Sequence, residues 1–199
     1  GKSVGMNRLL ARCSGDLVVF TDANVELPPD CLRQLLPLFA DPQVGCVIGH
    51  LVYVNADDGT TAEVGSLYWR LEERIKTLEA RIASTMGADG SIFAIRRNLF
   101  RPVPPDIIDD MFTSLSILCD GYRIARADDL VAFERSAGDR GDEVRRKVRI
   151  ACRSFNCHRL LWPRLRRLPL LELYMYVCHK LLRWFTFVWL LAAAVFYVL

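Results

Sequence analysis

Asp22 and Asn24 stand one residue apart just after an uninterrupted apolar run, Leu17–Phe20. Such a run predicts a strand covered on both faces, and in an open α/β sheet ligands bind at the carboxyl ends of strands. Carboxylate and amide oxygens in that place are hard donors for Mg2+ or Mn2+, and such a metal neutralises a bound diphosphate. The same two residues also suit a plain turn or helix cap. A second acidic group, Asp106, Asp109 and Asp110, opens a predicted helix after Pro104-Pro105. Acids in a first helical turn complement the helix dipole. Adjacent carboxylates also raise each other's proton affinity, which suits a general base. Neighbours on a helix point roughly 100° apart, so only one of the pair can aim at a given atom. Asp110 is the first choice and Asp109 the second.

Other groups carry two readings each. Arg146 and Arg149, spaced i and i+3, share a helix face and can grip an anionic diphosphate by charge-assisted bonds, or meet an anionic membrane surface. Lys2 can hold a phosphate or be a solvated end residue. Asp89, in the turn Gly87-Ala88-Asp89-Gly90, can contact a ligand or cap a local N–H. His50, His158 and His179 make no pair with catalytic or zinc spacing. The seven cysteines are scattered without zinc-like spacing and read as reduced, buried thiols of a cytosolic domain.

Helices and strands must hold these groups. Met6, Leu9, Leu10 and Cys13 predict a short helix with one inward face, stopped by Ser14-Gly15. Pro28-Pro29-Asp30 starts a second helix that buries Leu32, Leu35, Leu36 and Phe39, kinks at Pro37 and ends at Asp41-Pro42. Val44–Val54 reads as a strand. Strand–helix–strand predicts an α/β fold with a mixed, mostly parallel sheet flanked by helices. Leu67, Leu71, Ile75, Leu78 and Ile82 keep helical spacing as the inward side of a long helix, with Glu72, Glu73, Lys76, Glu79 and Arg81 on its wet side. Ser91–Ile95 is a short strand, Gly121 closes the helix that begins near Asp106, and Tyr122–Ala127 with Leu130–Phe133 are the last strand candidates. Gly138–Gly141 reads as a polar linker.

A chain of 199 residues, 52% apolar and 25% charged, has room for one domain and an appendage, and is neither disordered nor a repeat array. Its net charge of +3 hides a split. Residues 1–144 hold 15 Lys/Arg against 22 Asp/Glu, and residues 145–199 hold 11 Lys/Arg against Glu172 alone. An acidic body with a basic tail excludes a nucleic-acid module, whose basic residues would line the folded body. In the tail, the stripe Val144, Val148, Ala151 and Phe155, with Arg145, Arg149 and Arg153 every fourth residue, predicts a basic amphipathic helix within 141–168. Leu181–Leu199 carries one charge, Arg183, and 19 residues at ~1.5 Å each come close to the ~30 Å hydrocarbon core. A membrane segment over 169–199 with a transmembrane helix at 181–199 is therefore expected, and a lipid bilayer as partner. Arg159, Arg164, Arg166 and Arg167 ahead of it place residues 1–167 on the cytoplasmic side of the cell (inner) membrane.

Four segments, in order, carry a family resemblance. GKSVGMNRLLARCSGDLVVFTDAN (1–24) resembles the GK…N helix and D-x-D strand of family-2 glycosyltransferases, the inverting GT-A enzymes that include cellulose- and hyaluronan-synthase-like proteins. GADGSIFAIRR (87–97) is similar to that family's glycine–Asp–glycine turn facing sugar and acceptor. DIIDDMF (106–112) resembles its acidic base motif, and RRKVRI (145–150) sits where its Q/R-x-x-R-W element lies. The resemblance implies a nucleotide-diphospho-sugar donor, with a UDP-sugar expected, and a glycan or lipid acceptor. It further implies Mg2+ or Mn2+ at Asp22 and Asn24, a catalytic base at Asp110 or Asp109, and substrate contacts from Lys2, Asp89, Gly90, Arg146 and Arg149. Residues 1–140 would be the C-terminal part of a GT-A catalytic domain whose first, base-binding strands lie upstream, leaving this stretch inactive by itself. Three positions depart from the pattern: Asn24 for the second acid, Arg146 for a common Gln, and Ile150 for the Trp of processive synthases. Two other readings compete: a non-catalytic membrane scaffold of the same fold, and an ATPase in which Gly1-Lys2-Ser3 ends a G-x-x-x-x-G-K-[ST] phosphate loop.

Overall fold

The structure, a computed structural model, describes residues 1–54, 60–135 and 140–198. Strands β1 (Leu17–Thr21), β2 (Val25–Glu26), β3 (Val44–Val54), β4 (Ile92–Arg96) and β5 (Arg123–Arg135) form one sheet in the order β1-β4-β3-β5-β2. Helices α1 (Lys2–Leu10), α2 (Cys31–Leu35), α3 (Thr60–Ile82), α4 (Asp109–Cys119) and α5 (Arg140–Leu165) surround it. The sheet is mixed, but among the described residues the expected parallel majority is not there: only β3 and β5 pair in parallel, and the other three pairings are antiparallel. The cause lies after α3. Residues 83–91 start beside Ile124, at the beginning of β5, and run back to the middle of β3 before β4 turns the other way. Apolar patterning reports that a strand exists, not its direction. For the same reason the Leu17–Phe20 run is not covered on both faces. It lies at the sheet edge, and Val19 is exposed.

Alternation along β4 separates two cores. Phe93 and Ile95 face α4 and the C-terminal half of α5, among Leu115, Ile117, Cys157, Leu161 and Leu165. Ile92 and Ala94 face the opposite side, with Leu35, Phe39, Val47 and Leu130. The expected kink at Pro37 is a change from α2 to a 3-10 stretch, Leu36–Ala40. There Leu35 and Phe39 are buried while Leu32 and Leu36 stay exposed. In α1 the inward residues are Ser3, Met6, Asn7 and Leu10 rather than Leu9 and Cys13, which point outward.

The largest departure is α3. Glu72, Glu73, Lys76 and Glu79 are buried, whereas Leu71, Leu78 and Ile82 are exposed, so the helix sits with its charged side inward; the side chain of Leu67 lies outside the described residues. Ion pairing makes this tolerable, because a buried charge is costly unless it is paired. Glu73 meets Lys76 at 2.8 Å, Arg126 at 2.8 Å and His50 at 2.5 Å. Glu72 and Glu79 meet His179, Lys180 and Arg183 from the C-terminal helices. Burial alone would raise the Glu73 carboxyl, but the bond from His50 and the charge of Lys76 hold it at about 2.

Of the expected linker, residues 138 and 139 lie outside the described residues, and 140–141 already belong to α5. The amphipathic stripe of α5 is exposed at Val144, Val148 and Phe155, the helix being anchored by Cys157, Leu161 and Leu165 instead. After it come α6 (Leu170–Tyr176), a π-helical turn (Val177–Leu181), α7 (Leu182–Trp184) and α8 (Thr186–Val198). The single transmembrane helix expected at 181–199 does not form. Among the described residues no one helix is long and apolar enough to cross a membrane; Leu170–Trp184 and Val188–Tyr197 pass by length and composition only as a pair, bent by 66°. At the bend the hydroxyl of Thr186 donates to the carbonyl of Arg183 at 2.7 Å, a back-bond that competes with the helix ladder.

Candidate active site

The β1–β4 register builds the site. Thr21 lies opposite Ile92, and its hydroxyl donates to the Ser91 carbonyl at 2.8 Å, so Asp22 emerges beside Gly90. Gly90 is pressed between two carboxylates. A Cβ there would lie 2.8 Å from Asp22 Oδ2 and 3.4 Å from Asp110 Oδ2, so only glycine leaves the space open. Three bonds fix the turn: the Met86 N–H donates to Glu79, the Ala88 N–H donates to the Ser114 hydroxyl on α4, and Lys76 donates to Asp89 at 2.6 Å. Gly87 supplies the positive φ of +101° that the turn requires.

Lys2 closes the opposite side. Its ammonium is 2.7 Å from Asp22 Oδ1 and 3.0 Å from Asp109 Oδ2, bridging β1 to the first turn of α4. The helix carrying it is located by Asn7, whose amide donates to the Val103 carbonyl and accepts from the Val103 N–H, both at 3.0 Å. Burial works against the Lys2 charge, but the bond to Asp22 and the field of Asp109 outweigh it and raise its proton affinity. Asp22 and Asp109 thus share one cation, and Asp110 is left over. Burial, and then the neighbouring charge of Asp109, push its carboxyl up to about 7, against the opposing bond from the Met111 N–H. A carboxylate of that proton affinity can accept a proton at neutral pH.

The other expected residues fall nearby to different degrees. Asn24 donates through its amide nitrogen to Glu134 at 2.9 Å, and the charge of Arg146 acts on the same Glu134, which brings the start of α5 to the rim. Arg149 is exposed, further along the helix. Asp89 turns toward Lys76 and accepts from the Ser91 N–H and hydroxyl, matching the local-capping reading. Among the described residues no group of three or more His, Cys, Asp or Glu side chains is arranged to hold a metal. Asp22 with the Asn24 amide oxygen still fits a cation such as Mg2+, which keeps few protein ligands and takes the rest from water and phosphate. Lys76, Ser114 and Glu134 had no part in the expected site. Only Lys76 had a sequence signal, its i+3 spacing from Glu73, and that spacing is equally common on wet helix faces.

A family model described as Glycosyl transferase family 2 matches residues 1–103, the stretch that holds Lys2, Asp22, Asp89 and Gly90. The chain belongs to glycosyl transferase family 2. This bears out the resemblance and overturns the phosphate-loop reading, since Gly1-Lys2-Ser3 falls within the matched stretch and Lys2 opens a helix facing Asp22 and Asp109. Among similar proteins, an N-acetylglucosaminyltransferase of Rhizobium sp. (strain N33) is 27% identical over 188 residues, covering 88% of this chain and 41% of its own. Another N-acetylglucosaminyltransferase, from Rhizobium leguminosarum bv. viciae, is 26% identical over 170 residues, covering 77% and 40%. The chain therefore spans about two fifths of the length of these curated relatives. A mannosyltransferase from Pyrobaculum calidifontis, solved in complex with GDP-Man and Mn2+, shares the fold. Its TM-score is 0.63 at 24% identity, over 90% of this chain and 50% of that one.

Proposed function

We propose that this family 2 chain carries the acceptor-side half of an inverting, nucleotide-sugar-dependent glycosyltransferase, working on a UDP-sugar at the cytoplasmic face of a membrane. One observation carries the reading: Asp110, with its proton affinity raised to about 7, faces Asp22 across the gap left by Gly90. The anomeric carbon of the transferred sugar lies over that gap. Asp110 takes the proton from the acceptor hydroxyl, whose oxygen bonds to the anomeric carbon as the bond from that carbon to the diphosphate oxygen breaks. Attack and departure on opposite faces invert the configuration, and the nucleoside diphosphate leaves. Lys2 and Arg146 lie on the departure side as counter-charges for phosphate oxygens. When bound, a divalent cation held by Asp22 and Asn24 supplies further neutralisation of the leaving diphosphate.

Asp109 is tied to Lys2 and so holds that cation in place, leaving Asp110 as the base. An N-acetylhexosamine is the first sugar to try, since the rhizobial relatives carry that name. The acceptor is a glycan or lipid hydroxyl. Exposed apolar residues on α5 and the bent apolar pair α6–α8 support a location at the bilayer. UDP release by the full-length protein in vesicles, with Mg2+ or Mn2+ and a panel of UDP-sugars, tests the reading. Turnover with at least one sugar, lost in Asp110→Asn, is expected. Turnover that survives this change removes Asp110 as the base, and no turnover with any donor leaves the chain a scaffold of the same fold.

A further inference from the structure

Between residues 68 and 82, α3 sorts its charges by side. Glu72, Glu73, Lys76 and Glu79 point inward, and the exposed charges are Arg70, Arg74 and Arg81, all positive. At roughly 100° per residue these three arginines fall within about 40° of helix surface, and Leu78, Leu71 and Ile82 span a similar arc that begins about 40° further round. The three apolar side chains are 49%, 58% and 64% exposed. Among the described residues, none of the three arginines meets a carboxylate. Isolated exposed leucines are ordinary, but an apolar stripe edged by a row of unpaired arginines is the pattern of a helix lying in a lipid interface.

The neighbourhood extends the pattern. On its other edge the stripe borders the C-terminal helices. Tyr68, Leu71 and Ile75 line a groove of about 330 Å³ with Leu182, Arg183 and Thr186, and Arg183 reaches across to Tyr68 and Glu72. Leu182 and Phe185, both exposed, continue the apolar surface toward α8. The ion pairs of Glu72 and Glu79 with His179, Lys180 and Arg183 therefore hold α3 against the most apolar part of the chain.

We propose that the outward face of α3 rests on an anionic phospholipid surface, its arginines at the headgroups and Leu71, Leu78 and Ile82 in the acyl boundary. The inference rests on the membrane-face reading above and adds a contact formed by the catalytic body itself. A positive row beside apolar residues favours anionic lipid over neutral lipid and over a second copy of this chain, whose matching face would bring arginines against arginines.

The test uses the full-length protein in vesicles of phosphatidylethanolamine and phosphatidylglycerol, with the photoreactive p-benzoylphenylalanine placed singly at Leu78, at Trp189 in α8, or at exposed Leu9 in α1. Lipid adducts are read by mass spectrometry. Adducts at 78 and 189, several-fold above those at 9, are expected, and the yield at 78 should fall several-fold in phosphatidylcholine vesicles or when Arg70, Arg74 and Arg81 are changed to Glu. Adducts at 189 without adducts at 78 overturn the inference and leave the membrane reading intact. No lipid adduct at either position overturns both. Protein–protein adducts at 78 assign the face to a second copy, equal yields at 78 and 9 deny it any preference, and a yield indifferent to lipid charge removes the role of the arginines. Each of these overturns the proposal.

Discussion

Two sets of carboxylates lie close together in this fold and are treated in opposite ways. Along α3, Glu72, Glu73 and Glu79 are buried among His50, Lys76, Arg126, His179, Lys180 and Arg183. Around Gly90, Asp22 and Asp109 share Lys2, and Asp110 lies beside them without a direct bond to it. Glu73 is held at about 2, and Asp110 is pushed up to about 7. Burial raises both groups, so depth does not separate them; the supply of cations does. Where cations are plentiful the carboxylates fix structure, and where they are scarce one carboxylate is left able to take a proton.

The sharpest way to break this contrast is Asp110→Asn. Loss of a general base costs about 10²–10⁴-fold in kcat, with the KM for donor little changed in steady-state assays. In the wild-type protein kcat/KM should rise with pH through an apparent pKa near 7, as Asp110 ionises, and then level off. Stability runs the other way. A carboxyl with a raised folded pKa prefers its protonated form, so the fold loses stability as pH climbs from the unfolded value toward 7. Asp110→Asn should therefore melt higher than wild type at pH 8, with the difference shrinking on acidification. Glu73, held low, has the opposite sign: its contribution is complete above its ordinary value of 4.5 and is lost as pH falls toward 2.

Next in size is Lys76→Met, which strips Asp89 of its cation and Glu73 of one of its three partners. Removing one partner of a buried pair costs about 3–5 kcal/mol, measurable by denaturant unfolding, and adding Asp89→Asn should restore part of it. Gly90→Ala tests geometry rather than charge. Its methyl would sit 2.8 Å from Asp22 Oδ2, and a displacement of about 1 Å among reacting groups costs on the order of 10²-fold; kcat should fall while the melting temperature changes little. The smallest effects belong to α5. Arg146→Ala should raise the donor KM several-fold, and Arg149→Ala should leave kinetics nearly unchanged, because the field of Arg146 reaches Glu134 whereas Arg149 is exposed.

Much of the site was legible because its chemistry lies in short segments of fixed spacing. Lys2, Asp22, Gly90 and the 109–110 pair lie together in the fold. Which of Asp109 and Asp110 is tied to Lys2 was hidden, however, because a charge partner 107 residues from Asp109 leaves no local mark. Strand direction was hidden for a related reason, since the reversal is made by residues 83–91 docking on Ile124. The inversion of α3 shows where periodicity misleads. Leucines every third or fourth residue mark an apolar side, but whether that side meets protein or something else depends on what covers it. Here His50, Arg126 and His179, all from other elements, stabilise the charged side inside. The break near Phe185 was equally silent, because one threonine hydroxyl in an apolar run scarcely lowers mean hydropathy.

The bridge made by Lys2 has a consequence for the order of events. An ammonium spanning Asp22 and Asp109 is a latch between β1 and α4 as well as a neutralising charge, so the two acids are held together against their mutual repulsion. On the proposed function, an incoming pyrophosphate would have to prise that latch from Asp22 before settling. Nucleotide arrival would then be a trade of one ionic partner for another, with the released amine at hand to grip the newcomer.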